Sequence, residues 1–160
     1  MRSLERPEMK GRIYPMSKTY HVNFADRMEA GLITALLHAG VKLGTTSLLT
    51  VRGRKSGQPH TVVVLLVEQN GERWLVAPYG VVQWVLNLRA AGTATLTRGR
   101  RSETISVREL EAKEAAPVLK HYLHQVSGGV RSYFDATKDS PLEDFEREAA
   151  RHTVFLITYK

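Results

Sequence analysis

Val62 to Val67 is a run of six consecutive apolar residues, followed two residues later by Asn70-Gly71. So uniform a run suits a strand buried on both faces. Asn-Gly is the strongest short hairpin signal, because both central residues of the tight turn need positive φ. Strand 61–69 therefore folds back onto a strand over 72–77. Upstream, Leu48-Leu49-Thr50-Val51 reads as a third strand, over about 47–52, with an eight-residue interval before Thr61. Three antiparallel strands in one stretch commit the chain to a mainly β fold.

The interval between the first two strands is chemically loaded. Gly53 and Gly57 bracket Arg54, Lys55 and Ser56, and Gln58-Pro59-His60 lead into the next strand. With Arg52, three cations, a hydroxyl and two glycine amides share one turn. Glycines allow φ > 0, so that successive N–H groups can converge on one point. Such a turn suits a phosphate or carboxylate. It equally describes an exposed basic hairpin turn, because charged loops are common.

The remaining chain adds strands and helices in alternation. Residues 1–20 hold Arg2, Arg6, Lys10, Arg12 and Lys18 with Pro7 and Pro15, and read as a basic arm before a single domain over 21–160. Phe24, Met28, Leu32, Ala35, Leu36 and Ala39 recur at helical spacing after Asn23 or Asp26, and Gly40 is the expected stop. That stripe is expected to pack on the core in preference to a membrane surface. After Pro78-Tyr79-Gly80 a helix is expected over 82–91, with Trp84, Leu88 and Ala91 on one face. Strands follow over 93–97 and 103–107, then a helix over 112–126 ended by Gly128-Gly129, in which Pro117 must sit near the first turn or force a kink. Residues 130–140 read as irregular, 141–150 as an acidic helix capped by Asp139 or Ser140 with Pro141 at its first position, and 153–158 as a last strand. About six mostly antiparallel strands with peripheral helices form a β-barrel, which closes its own edges.

Charge narrows the partner. Lys plus Arg outnumber Asp plus Glu by 23 to 16, a net charge of +7, which favours an anionic ligand. The cations gather in Arg52-Arg54-Lys55, in Arg98-Arg100-Arg101 and in the arm, without the interleaved aromatics of a single-strand stacking platform. No nucleic-acid partner is therefore expected. The chain has no cysteine, which removes disulfides and thiolate metal sites and fits a cytoplasmic setting. No apolar run approaches the roughly 18 residues of a membrane span.

Gly53-Arg54-Lys55-Ser56-Gly57-Gln58-Pro59 after a Leu-Leu-Thr strand resembles the signature turn of the deazaflavin-dependent nitroreductase and quinone reductase family. The likeness continues through Trp74-Leu75-Val76-Ala77, the Pro78-Tyr79-Gly80 loop and Trp84-Val85-Leu86-Asn87-Leu88. The resemblance implies a split β-barrel oxidoreductase that uses reduced coenzyme F420. It places Arg54, Lys55, Ser56, Gly57, Gln58 and Pro59 at the cofactor's phosphate end, with His60 beside them. It lays Ala77, Pro78, Tyr79 and Gly80 along the deazaflavin ring and sets Trp84 and Asn87 on the helix that follows. Tyr79 departs from the family's small-residue loop with its lysine. Tyr133 is the candidate for the tyrosine that shapes the acceptor pocket and for the proton donor. Arg98, Arg100 and Arg101 are candidates, by charge, for meeting the cofactor's glutamate tail.

Other chemistries find less support. No G-x-S-x-G elbow and no P-loop occurs, and the basic turn precedes a strand where a P-loop precedes a helix. His121 and His124 stand three apart on one helix without a completing carboxylate, and read as surface histidines. The leading expectation is hydride transfer from F420H2 to an electron-poor small molecule: a quinone, a nitroaromatic or an activated enone. The alternatives are a flavin-mononucleotide-binding reductase on the same barrel, and a non-catalytic module for an anionic cofactor.

Overall fold

The computed structural model describes residues 31, 33–36, 38–40 and 44–159. The expected arm over 1–20 and the first turns of the early helix lie outside those residues. Six strands close a barrel in the order β1-β2-β3-β6-β5-β4. They are β1 (Thr46–Arg52), β2 (Pro59–Gln69), β3 (Glu72–Val76), β4 (Thr93–Arg98), β5 (Arg101–Glu109) and β6 (Val154–Thr158). Every neighbouring pair is antiparallel. Four helices intervene: α1 (Gln83–Ala91), α2 (Ala112–Gln125), α3 (Gly128–Arg131) and α4 (Leu142–Glu148). No helix among the described residues is long and apolar enough to cross a membrane.

Two apolar clusters result. One fills the barrel with Leu49, Val51, Leu66, Leu75, Leu96, Ile105, Phe155 and Ile157, and α1 adds Val85 and Leu88 to it. The other lies outside the barrel wall, where Val67, Trp74, Val76 and Val154 receive Ala115, Leu119, Tyr122 and Leu123 of α2 and Phe145 of α4. α1 thus packs one face on the barrel core, and the basic turn at the end of β1 lies against it. Its C-terminus is fixed twice. Gly92 takes a left-handed φ of 68° and donates its N–H to the Leu88 carbonyl. Arg89 grips the Glu109 carboxylate through Nε and Nη2 at 2.8 and 2.6 Å.

Several expectations are corrected. Val62–Val67 is buried on both faces only at its end: Leu66 faces the barrel cluster and Val67 the outer cluster, both 0% exposed, while Val63 is 38% exposed. β2 also begins earlier, at Pro59, because Pro59 and His60 pair with Arg52 and Val51. Residues 31, 33–36 and 38 are helical, yet Ala35, Leu36 and Ala39 are exposed and do not face the core. In α1 the buried side chains are Val85, Asn87 and Leu88, while Ala91 is exposed. Gly128-Gly129 does not end α2 but starts α3, since Val126 already caps the preceding helix. Pro117 is the sixth residue of α2, beyond the first turn, where it has no N–H to offer the Lys113 carbonyl. α4 begins at Leu142 with Pro141 as its N-cap. Ser140 turns its hydroxyl to the Thr137 N–H instead.

Candidate functional site

The turn between β1 and β2 is compact. Gly53 donates its N–H to the Gln58 carbonyl at 2.8 Å, and Gly57 donates to the Gly53 carbonyl at 2.9 Å. Gly57 has φ 70°, which closes the loop at no steric cost. Both glycine amides are thereby consumed inside the turn, contrary to the sequence expectation that they converge on an anion. The Gln58 N–H is used as well, on Ser56 Oγ at 3.2 Å. The amides of Lys55 and Ser56 make no hydrogen bond among the described residues. Gly53 has a second role: a Cβ there would come within 2.7 Å of Ser56 Oγ and 2.8 Å of His60 Nε2. Absence of a side chain lets Ser56 and His60 close to within 3.4 Å of each other over the glycine.

Arg54 joins this turn to α1. Its backbone N–H and its Nη1 both donate to Asn87 Oδ1, at 3.2 and 2.8 Å, and Nη1 also donates to Gln83 Oε1 at 3.1 Å. Asn87 is buried, and this pairing satisfies its carbonyl oxygen. One end of the guanidinium is thus held by uncharged partners, and its positive charge is not neutralised. Lys55 makes no hydrogen bond or ion pair among the described residues.

Turn and helix enclose an open cavity of about 410 Å³ lined by Gly53, Arg54, Lys55, Ser56, His60, Thr61, Val62, Gln83, Trp84 and Asn87. Trp84 serves two surroundings, since its ring also packs 6.2 Å from Phe155 in the barrel. Six of the residues singled out by sequence, Arg54, Lys55, Ser56, His60, Trp84 and Asn87, share this wall. Gly57, Gln58 and Pro59 shape the turn without lining the cavity. Gln83 was missed by sequence reasoning. Its position at the first residue of α1, one turn before Asn87, is the signal that could have found it.

The other expected site residues form a second group. Ala77 is fully buried, with its N–H donated to the Thr153 carbonyl. Beyond it, Tyr79 is 39% exposed and meets Tyr133 edge-on, with ring centroids 4.9 Å apart and planes at 81°. Pro78 and Gly80 complete that loop, and none of Ala77, Pro78, Tyr79, Gly80 and Tyr133 lines the cavity. Arg98, Arg100 and Arg101 sit elsewhere. Leu48 pairs with Thr97 and Thr50 with Thr95, so the β4–β5 turn lies at the opposite end of β1 from Gly53. Arg98 is engaged there by Glu68 at 2.8 Å and by the Gly44 carbonyl at 3.1 Å.

Among the described residues no group of three or more His, Asp or Glu is placed to hold a metal ion. His121 contacts Gln125 at 3.0 Å.

Residues 20–140 match the family described as F420H(2)-dependent quinone reductase. Among solved structures, an F420-H2 dependent reductase aligns over 71% of this chain and 94% of its own, at 23% identity and a TM-score of 0.50. A protein described as a domain-swapped dimer aligns over 84% of this chain and 99% of its own, at 19% identity and a TM-score of 0.53. At these identities the two structures support the fold. No functionally curated protein matches the chain in sequence.

Proposed function

The chain belongs to the F420H(2)-dependent quinone reductase family, and from that premise we propose that the cavity between the Gly53–His60 turn and α1 holds the anionic end of coenzyme F420. The observation that carries the proposal is the pairing of an oriented guanidinium with an unpartnered ammonium on one cavity wall. Arg54 is aimed by Asn87 and Gln83, while Lys55 stands beside it without a counter-ion among the described residues. The turn fits a phosphate on steric grounds too, because Gly53 leaves room for Ser56 and His60 to present polar atoms side by side. A volume near 410 Å³ lies within the range of small-molecule sites.

In this reading Arg54, Lys55 and the Lys55 and Ser56 amides bind phosphate oxygens, and the Ser56 hydroxyl and His60 complete the shell. Gly57, Gln58 and Pro59 hold the turn in shape. Trp84 supplies an apolar wall where the ring system leaves the phosphate. Ala77, Pro78, Tyr79 and Gly80 border the deazaflavin. Tyr79 and Tyr133 stand as an aromatic pair where the acceptor approaches, with solvent or Tyr133 as the proton source. When bound, F420H2 supplies a hydride from C5, and reduction of an electron-poor acceptor is completed by one proton. A quinone is the acceptor proposed first, with nitroaromatics and activated enones in the same chemical class.

Direct titration of the purified protein with F420 and with flavin mononucleotide tests the proposal, followed by an acceptor screen with F420H2. Tighter binding of F420 and turnover of quinones support it. Equal or reversed cofactor preference contradicts the assignment of the turn.

A further inference from the structure

Behind the Tyr79 loop lies a buried acid and a buried imidazole that the cavity does not use. Glu148, at the end of α4, is 2% exposed. Its Oε1 accepts the backbone N–H groups of Asp135 and Ala136, both at 2.6 Å, and its Oε2 accepts from Arg151 Nη2 at 3.0 Å. His152 is 3% exposed and stacks on Phe134, with centroids 3.9 Å apart and planes at 18°. Its Nδ1 faces the Ala77 carbonyl at 3.4 Å, and its Nε2 lies 3.2 Å from Glu148 Oε2, off hydrogen-bonding alignment.

Both ring nitrogens therefore face acceptors. A neutral imidazole carries one N–H and can serve one of them, whereas the imidazolium serves both. Deprotonation leaves either the Ala77 carbonyl or the Glu148 carboxylate opposite a lone pair in a buried place, which is costly. The consequence falls on the loop, because Ala77 is the residue from which Pro78–Gly80 springs. It falls also on Tyr133, because Glu148 holds the two amides just beyond Phe134. The carboxylate and the imidazole thus connect the two segments whose tips meet as Tyr79 and Tyr133.

We infer that His152 and Glu148 are positioning residues that brace the Ala77–Gly80 loop against the Tyr133–Ala136 segment and so set the aromatic pair for acceptor reduction. The inference rests on the reading that places this loop beside the deazaflavin. Other charged or titratable groups around the ring are Arg151 and Asp135, paired to each other at 2.6 Å, and Tyr79, Tyr133 and Tyr122. Burial and the nearby Tyr79 hold the Tyr122 hydroxyl above the ordinary phenol range, so it stays neutral. Glu148 stays charged: burial alone would raise its pKa, but the His152, Ala136 and Arg151 contacts together hold it below the ordinary carboxylate range.

The test measures acceptor kcat and KM separately in wild type, His152→Phe and Glu148→Gln, with F420 affinity read by titration. His152→Phe keeps a ring against Phe134 and removes both nitrogens. Both variants should lose about 10-fold or more of acceptor kcat/KM, chiefly in kcat, with F420 affinity near wild type. Folded variants with wild-type acceptor kcat and KM overturn the brace. Should His152→Phe fail to fold, Glu148→Gln decides. Tyr79→Ala separates the two levels. If it lowers acceptor turnover while the brace variants do not, the brace alone is wrong. If it changes neither turnover nor F420 binding, the placement of the loop beside the deazaflavin is wrong, and the brace falls with it.

Discussion

The cavity at the end of β1 and the Glu148–His152 cluster both collect polar groups, and they treat charge in opposite ways. At the cluster a carboxylate is sealed from water and given two backbone donors, an arginine and an imidazole. At the cavity, two cations stand at the surface and the partners of Arg54 are neutral amides. Sealed charges need partners to be tolerated at all, because burial without them costs several kcal/mol. Open charges survive without partners because water solvates them, and they remain free for a ligand. The contrast supports the proposed assignment: the sealed cluster turns its charges on one another, and the open wall keeps its cations for the anion proposed there.

The largest expected effect lies on the sealed side. Glu148→Ala removes the acceptor of two amides and leaves Arg151 and His152 short of a partner, and should cost about 3–5 kcal/mol of stability in denaturant melts. Since the folded carboxyl titrates below its ordinary value, its stabilisation is present above that value and is lost as pH falls through the lowered one. Acid unfolding should therefore be less steep in Glu148→Gln. A loss under about 1 kcal/mol would erase the contrast between the two regions.

Arg54→Ala should act the other way round, on affinity more than on stability. Hydrogen bonds to charged groups contribute about 1.5–3 kcal/mol each, and 1.4 kcal/mol is tenfold, so F420 binding should weaken by roughly 10- to 100-fold or beyond. Arg54→Lys should recover less than half of the lost binding energy, because lysine keeps the charge and not the fork held by Asn87 and Gln83. Full recovery would show that charge alone matters there. Gly53→Ala is the gentlest change. Its Cβ pushes Ser56 and His60 apart, both of them mobile side-chain ends, so F420 affinity should fall several-fold with melting temperature near wild type. An unchanged affinity would remove Ser56 and His60 from the phosphate shell.

Much of the barrel was legible in sequence for a local reason. Asn70-Gly71 fixed a hairpin, and the alternation in Thr93–Thr97 and Glu103–Val107 carried the right period for strands that pair with one another. Burial was less legible. Val63 reads as core by residue type, yet the outer cluster on its face of β2 covers Val67 and leaves Val63 exposed, which only the assembled fold reveals. At the cavity, the residue types of the turn were plain, but the fate of each amide was not, because closing a turn with glycines consumes glycine N–H groups. The Glu148–His152 cluster left no sequence signal. His152 faces a carbonyl 75 residues away, and no spacing rule links Ala77, Phe134 and α4.

The most direct test of the open wall is F420 titration of wild type and Lys55→Ala at low and high salt. Lys55 has no structural partner among the described residues, so its removal should leave the ligand-free melting temperature unchanged, as expected for an exposed charge. Affinity should drop roughly 10-fold or more at low salt. The wild-type protein should also lose more affinity to added salt than the variant does, since screening acts on the charge that was removed. Equal affinities and equal salt dependence in the two proteins would contradict the assignment of this wall to the cofactor's anionic end.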